Sequence, residues 1–410
     1  MTAIAGKSVP ELRFPEFCKD WLRKPLKSLS SKSISYGIVQ TGSDVKDGVK
    51  CVRVVDLTKP RIDLSELITT TEKISQSYKK TILTEGEIMV ALRGMIGLVA
   101  TVPRELEGSN LTRGIARISP KISEVHSAYL LWALRSPEAR MEFLNQVNGS
   151  ALKEIPIGGL NKVKVQLTTL PEQKKIADFL TSVDDRIGQL IKKKALLEDY
   201  KKGVMQQLFS QQIRFKDDNG NDFPDWEEKK LGEILKLEIR PIKMKDASVY
   251  SLITVKRGNR GVVSRGEYEG RKVLVKSQFE VRTGDFVISK RQIVHQACGI
   301  VPSSLNGSIV SNEYNVFGPT EECDLQYFDY FTFRPQMRHA FFLSCVGVHL
   351  EKMLFKTNDW LKRKFYFPTL PEQKKIADFL TSVDRKIESV SQQITKTQTF
   401  KKGLLQQMFV

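Results

Sequence analysis

The sixteen residues Thr169 to Asp184, TLPEQKKIADFLTSVD, recur letter for letter at Thr369 to Asp384. The offset of 200 then holds without a gap to the C-terminus. Tyr200-Lys201-Lys202-Gly203 faces Phe400-Lys401-Lys402-Gly403, and Gln206-Gln207-Leu208-Phe209 faces Gln406-Gln407-Met408-Phe409. A repeat of this length decides architecture before any local reading does. The 410-residue chain is a duplication.

Each copy is predicted to be one long helix. Pro171 and Pro371 suit a first helical position, where no amide donor is needed, and Glu172 and Glu372 suit the positive end of the helix dipole. Apolar residues recur every seven at Ile176, Val183, Leu190, Leu197 and Val204. A second row at Leu180, Ile187 and Leu208 is broken by Lys194 and Lys201. The distal copy keeps Ile376, Val383, Val390 and Leu404 with Leu380, Ile387, Ile394 and Met408, broken by Thr397 and Lys401. Sevenfold spacing with two apolar rows and polar outer faces is a coiled-coil seam. About 40 residues at a rise of ~1.5 Å make each helix roughly 60 Å long. The two are expected to pack antiparallel, because the intervening block lets the second return beside the first.

The helices leave two globular blocks. The expected division is 1–165, a central helix at 166–212, a second block at 213–366 and a distal helix at 367–410. The blocks correspond loosely. Phe14-Pro15 with Trp21 is matched to Phe223-Pro224 with Trp226, and Glu85-Gly86-Glu87 before an apolar run and Arg93 to Thr283-Gly284-Asp285 before another and Arg291. Val49 to Val55 and Val273 to Val275 read as strands, Tyr129 to Leu134 and Tyr327 to Phe333 as helix. The fold class is α+β, with a pseudo-twofold internal repeat. Identical helices beside diverged blocks suggest that the helices meet one partner twice while the blocks meet two ligands of one kind. Recent recombination between the helix segments is the other explanation.

Lys and Arg number 65 against 47 Asp and Glu, a formal charge of +18. Residues 1–170 carry +8, residues 171–220 carry +2 and residues 221–410 carry +8, so the two halves share the excess. Such a balance favours a polyanionic partner, nucleic acid first. Residues 241–300 hold 12 basic and 5 acidic side chains. There Lys256, Arg257, Arg260, Arg265, Arg271, Lys272, Lys290 and Arg291 alternate with glycines that let a backbone approach phosphate closely. Arg53, Arg93, Arg113 and Arg117 are the sparser candidates of the first block. Arg93 and Arg291 follow matching strands, and their structural alternative is pairing with Glu87 and Asp285.

Other chemistry has no visible motif. There is no GxxxxGK[ST] loop, no GxGxxG opening a helix and no Asn-Pro-Pro-aromatic or Asp-Pro-Pro-aromatic motif. The four histidines lack metal-ligand spacing, so no metal site is expected. Pro224-Asp225 with Glu227-Glu228-Lys229 imitates a nuclease motif, but both acids are crammed into six residues. Five scattered cysteines suggest reduced thiols in a cytoplasmic protein, and the opening residues lack the apolar core of a signal peptide.

Two variable basic blocks, each followed by a long helix opening Leu-Pro-Glu-Gln, resemble the specificity subunits of type I restriction–modification enzymes. The resemblance rests on Leu170 to Lys175, Leu370 to Lys375, the Lys-Lys-Gly…Gln-Gln helix ends and Trp226-Glu227-Glu228-Lys229-Lys230-Leu231-Gly232. The first block departs from that opening with Trp21-Leu22-Arg23-Lys24-Pro25-Leu26, so a different entry is expected there. The resemblance implies a non-catalytic subunit with two target-recognition domains joined by antiparallel helices. Each domain reads half of an asymmetric interrupted DNA site, the half-sites being about one helical turn apart, roughly 10 bp. It also implies two adenine-methyltransferase subunits clasping the helices and restriction subunits outside them. S-adenosylmethionine, ATP and Mg²⁺ belong to those partners, none to this chain. The rival reading is a non-specific basic DNA-binding coiled-coil scaffold.

Overall fold

The computed structural model describes residues 9–59, 62–149 and 152–409, so the signal-peptide reading of the first seven residues lies outside it. Two compact units emerge, Met1–Lys193 with Val390–Val410, and Lys194–Ser389. Each unit thus owns one globular block, the opening turns of the helix that follows it and the closing turns of the other helix.

The long helices run unbroken over Leu170–Phe209 and Leu370–Gln407. In the first unit Ile176, Ala177, Leu180 and Val183 share a core with Leu404, Met408 and Phe409. In the second, Ile376, Ala377 and Leu380 share one with Leu208 and Phe209. Start meets end in both cases, which is antiparallel pairing. Along the seam Ile187, Leu190, Val383 and Val390 are buried, while Leu197, Ile387 and Ile394 are half-buried.

Two of the lysines that interrupt the apolar rows, Lys201 and Lys401, reach across to the other helix and fix the register, while Lys194 pairs with Glu198 on its own helix. Lys201 Nζ lies 2.7 Å from Asp384 Oδ1 and 4.9 Å above the ring of Tyr330. Lys401 pairs with Asp184 and sits 4.9 Å above the ring of Trp132. An ammonium between a carboxylate and an aromatic face keeps its charge satisfied while its methylene stem stays in the seam.

Besides a two-stranded pair of Leu22–Pro25 with Lys164–Leu167, the described residues of the first unit's block form two small sheets. A four-stranded antiparallel sheet orders Ser35–Tyr36, Ile115–Ile118, Ile88–Ala91 and Val99–Thr101. Beside it Val49–Val52 pairs antiparallel with Ile68–Thr70 and parallel with Asn110–Leu111. The second unit repeats the first sheet as Lys236–Leu237, Tyr314–Gly318, Phe286–Ser289 and Cys298–Ile300. Its second sheet grows to five strands: a long hairpin, Val249–Val255 with Val262–Glu269, stands in place of the short pair 49–52 and 68–70, and Gln278–Glu280 and Pro241–Ile242 add two strands on the other side of Ile309–Ser311.

Several expectations need correction. The strand expected over Val49 to Val55 stops at Val52 and gives way to a 3₁₀ turn, Val54–Thr58. Val273 to Val275 is not a strand; Leu274 is 94% exposed and the strand forms three residues later at Gln278–Glu280. The entry of the first block is not built differently. Leu22–Pro25 pairs with Lys164–Leu167 as Glu227–Lys230 pairs with Lys364–Phe367, and a one-turn helix with a fully buried leucine, Leu26 or Leu231, follows each. The expected helices appear as Ser127–Arg135 and Leu325–Phe331.

The Leu-Pro-Glu-Gln motif clamps each block to its helix. Glu172 and Gln173, like Glu372 and Gln373, are fully buried. Arg13 donates from Nε and Nη2 to the two oxygens of Glu172 at 2.7 and 2.8 Å, and Arg214 does the same to Glu372 at 3.1 and 2.8 Å. These hydrogen bonds raise both arginine pKa values. Gln173 accepts from the amide of His126 and donates to the carbonyls of Glu124 and Thr168. Gln373 accepts from Asp324 and donates to Glu322 and Pro368. A buried amide side chain with its polar atoms satisfied specifies one packing. Phe14 stacks edge-on against Phe179, 5.9 Å away, and Phe215 meets Phe379 at 5.6 Å. The two contacts of Phe14 are thus divided in the second unit: Phe215 takes its place against the phenylalanine ring, while Phe223 lies 5.8 Å from Lys375 as Phe14 lies 4.7 Å from Lys175.

Candidate nucleic-acid interface

Register decides which candidate cations meet. In the first unit Ala91 pairs with Ile115 and Val52 with Leu111, so the residues after 52, after 91 and before 115 leave the sheets at one end. Arg53, Arg93 and Arg113 occupy that end. In the second unit Ser289 pairs with Tyr314 and Val255 with Val262. The corresponding end therefore carries Lys290 and Arg291 together with the turn holding Lys256, Arg257 and Arg260.

Four candidates stand elsewhere. Arg117 is buried within Ile115–Ile118, its Nη1 3.3 Å from the carbonyl of Ile82 and 3.5 Å from Glu87, and burial lowers its pKa. A guanidinium walled in this way holds the core together and cannot meet DNA, so Arg117 leaves the candidate set. Arg271 and Lys272 lie past the far end of the hairpin, because Glu269 pairs with Val249. Seven strand residues at about 3.3 Å separate them from Lys256 by roughly 20 Å. Both bind Glu269, at 2.5 and 3.9 Å. Arg265 lies between, beside the bulge at Leu252 and Ile253, and is exposed.

The remaining cations differ in how they are held. Arg53 is locked: its guanidinium bonds Asp56 at 2.9 Å and the carbonyl of Glu66 at 2.9 Å, and Asp56 raises its pKa. Arg93 pairs with Glu154, not with Glu87, which is taken by Arg117, Lys32 and Ser119. Arg291 pairs with Glu313 at 2.8 Å, not with Asp285, which Arg240 holds at 2.5 Å. Lys290 donates to the carbonyl of Asn312. Arg113, Lys256 and Arg260 are exposed and, among the described residues, no ion pair engages them. Surface pairs such as Arg291 with Glu313, about half exposed, are worth ~1 kcal/mol or less and exchange readily for phosphate.

The buried pairs Arg13–Glu172 and Arg214–Glu372 were not anticipated from the sequence. Their signal is Leu12-Arg13-Phe14 against Ile213-Arg214-Phe215, displaced by 201 rather than 200 residues. The nuclease-like cluster is structural. Glu227 and Glu228 are neighbours on one strand, and Lys229 pairs with Glu322 and Glu227. Among the described residues no group of three His, Cys, Asp or Glu side chains could hold a metal ion, and no helix is long and apolar enough to cross a membrane. Cys51, Cys298, Cys323 and Cys345 are buried free thiols, and burial pushes all four up, Cys51 and Cys345 to about 11.

Comparison with known proteins agrees with this two-unit layout. A type I restriction enzyme specificity subunit of Escherichia coli, EcoBI, is 30% identical over 160 residues, 38% of this chain and 34% of its own length. The chain's match thus spans about a third of that relative. The MjaVIII specificity subunit of Methanocaldococcus jannaschii is 24% identical over 72% of both chains. The crystal structure of a type I restriction–modification S subunit from M. genitalium superposes with a TM-score of 0.59 at 14% identity, covering 98% of this chain and 99% of that one. A structure addressing complex assembly of the type I system follows at 0.53, also 14% identical, covering 94% and 96%. At such identity these two speak for the fold alone. The profile of the type I restriction modification DNA specificity domain matches twice, at residues 22–198 and 224–397, and the chain belongs to that family.

Proposed function

We propose that this chain is the non-catalytic, DNA-reading subunit of a type I restriction–modification complex. Each unit reads one half of an asymmetric, interrupted duplex site. The observation that carries this reading is the repeated collection of cations at one end of the paired sheets, Arg53, Arg93 and Arg113 in one unit and Lys256 to Arg260 with Lys290 and Arg291 in the other. Exposed Arg and Lys on phosphates set position, and a few side chains at base edges set sequence. The two units differ most in the connection that bears those residues, 53–67 against the six-residue turn 256–261, as two readers of unlike half-sites require.

The long helices dock two adenine-methyltransferase subunits, and the restriction subunits join outside them. Pro171, Lys174 and Asp178, with Pro371, Lys374 and Asp378, support this: they are exposed in both copies and identical. S-adenosylmethionine, ATP and Mg²⁺ would be held by those partners. Mapping methylated adenines in cells that express the chain with its methyltransferase tests the proposal. The expected result is one bipartite motif with a fixed spacer. Replacing residues 1–165 by the block of a related chain should change one half of it only. Methylation without a motif, or a change in both halves, would overturn the reading.

A further inference from the structure

The hairpin turn of the second unit has an unusual backbone. Gly258, Asn259 and Gly261 have positive φ, at 73°, 52° and 77°. Asn259 is one of four non-glycine residues in the left-handed region among the described residues, and another, Gln296 at 57°, is its direct partner. The amide of Asn259 donates to the carbonyl of Gln296 at 2.8 Å, and that of Gly258 to the carbonyl of His295 at 2.7 Å. Asn259 Nδ2 donates to Thr332 Oγ1 at 2.7 Å, whose hydroxyl in turn donates to the carbonyl of Asp329 at 2.6 Å. From the third side, Arg338 Nη2 donates to Gln296 Oε1 at 3.1 Å.

Left-handed non-glycine residues cost of order 1 kcal/mol or more each and persist where surrounding bonds over-determine them. Here two such residues face each other and tie together the turn, the loop between Phe286–Ser289 and Cys298–Ile300, and the helix Pro335–Leu343. The tie is spent on a surface that carries Lys256, Arg257, Arg260 and Arg338 and, within the turn, no acid. Arg260 Nε is itself braced by the carbonyl of Arg257 at 3.0 Å. Lys256 and Arg260 have no ion pair among the described residues, whereas in the equivalent connection of the first unit Arg53 is bound to Asp56, and Lys59 to Glu66. Flexible lysines on a loop need no such scaffold; cations held at fixed spacing suit a ligand whose charges are themselves at fixed spacing.

We propose that the turn 256–261, the loop 290–297 and Arg338 form one pre-organised phosphate-binding surface for duplex DNA, with Asn259 as its positioning residue and without an equivalent in the first unit. The proposal rests on the DNA-reading function above and adds to it an asymmetry. The second unit supplies most of the phosphate anchoring, and the first unit, where Arg53, Lys59 and Arg93 are paired and Arg113 alone of its candidates has no ion pair among the described residues, contributes less to the salt dependence.

The test is duplex binding by the full chain, alone and with its methyltransferase, measured by anisotropy between about 50 and about 200 mM salt. Each lost phosphate contact should lower the log–log slope by about 0.9. R338A should therefore shrink the affinity loss across that range by about 3-fold, and K256A/R260A by about 12-fold, on cognate and scrambled duplexes alike. N259G keeps the left-handed backbone but removes the bond to Thr332. It should lower the slope in the wild-type background and leave it unchanged in K256A/R260A. R338A and K256A/R260A should keep the wild-type melting temperature. If the wild-type chain showed no salt-dependent duplex binding, the proposed function itself would fall. If wild type bound but R338A and K256A/R260A left its slope intact, or instead released the methyltransferase, only this surface would be refuted.

Discussion

Removing Arg214 should damage the protein more than removing Arg13, although the two arginines hold equivalent buried glutamates. Glu172 and Glu372 are both fully buried, so deleting either arginine strands a carboxylate, a change that typically costs ~3–5 kcal/mol. The guanidiniums are 11% and 23% exposed, which places both losses toward the lower end. The residue three before each Leu-Pro-Glu-Gln proline breaks the equivalence. In the first copy Thr168 donates its hydroxyl to Glu172, whereas the second copy has Pro368, which has no donor. A hydrogen bond to a charged group contributes about 1.5–3 kcal/mol, so R13A leaves its glutamate partly satisfied. The expected costs are roughly 3 kcal/mol for R214A and roughly 1–2 kcal/mol for R13A. Hydrogen exchange at the amides of 373–380 and 173–180 reads each helix start separately, which a two-unit chain demands. R214M/E372M, with neither charge left to desolvate, should recover most of the R214A loss. Equal costs for the two arginines, or no recovery in the double variant, would refute the reasoning.

K201E sets a carboxylate against Asp384 and above the Tyr330 ring; it should lower the melting temperature, and K201E/D384K should restore it. L190D buries an unpaired acid in the seam at a position 3% exposed and should part the helices, seen as lost protection along 176–190. Burial pushes the carboxyl of Asp329 up to about 7, with Lys201 opposing and Asp384 adding to it. The folded carboxyl then holds its proton where the unfolded one releases it, so stability should fall as pH rises from about 4 to about 7, by at most ~1.4 kcal/mol per unit, and D329N should flatten that slope in a pH series of melts. K174E/K374E should weaken methyltransferase binding in pull-downs while leaving the melt unchanged, because both lysines are exposed on the outer face of the helices.

The parts of this fold that were legible in the sequence are those where one side faces water. The long helices showed their seam because their outer faces are polar, and two of the lysines that spoiled the pattern, Lys201 and Lys401, proved to be its register pins. Arg117 misled for the opposite reason. Ile115, Ala116, Arg117 and Ile118 are all buried, so the strand has no alternation to separate a core arginine from a surface one. Val273 to Val275 has strand-forming residues but pairs with no strand; the pairing begins three residues later, where Gln278–Glu280 lies between Pro241–Ile242 and Ile309–Ser311. The spacing along the hairpin, which puts Arg271 and Lys272 roughly 20 Å from Lys256, depends on strand lengths that composition does not reveal. Arg13 and Arg214 escaped because the segments they occupy differ in register by one residue from the helices they brace.

The identity of the two sixteen-residue segments has two physical sources. Glu, Gln, the apolar seam residues and the terminal Asp each repeat because they meet the same contacts twice inside the chain: an arginine, a helix-start amide, the closing turns of the other helix and a lysine over an aromatic ring. These contacts would hold the segment fixed even if nothing outside ever touched it, so identity alone does not demand a partner that binds twice. The exposed positions are different. Lys174 and Asp178 form only an i,i+4 pair with each other, 64% and 61% exposed, of a kind worth a few tenths of a kcal/mol. Nothing within the chain requires Lys at 374 and Asp at 378 to match them. Their repetition has no source inside the fold, so recent recombination or a partner met twice must account for it, whereas the buried positions repeat because of the chain's own contacts.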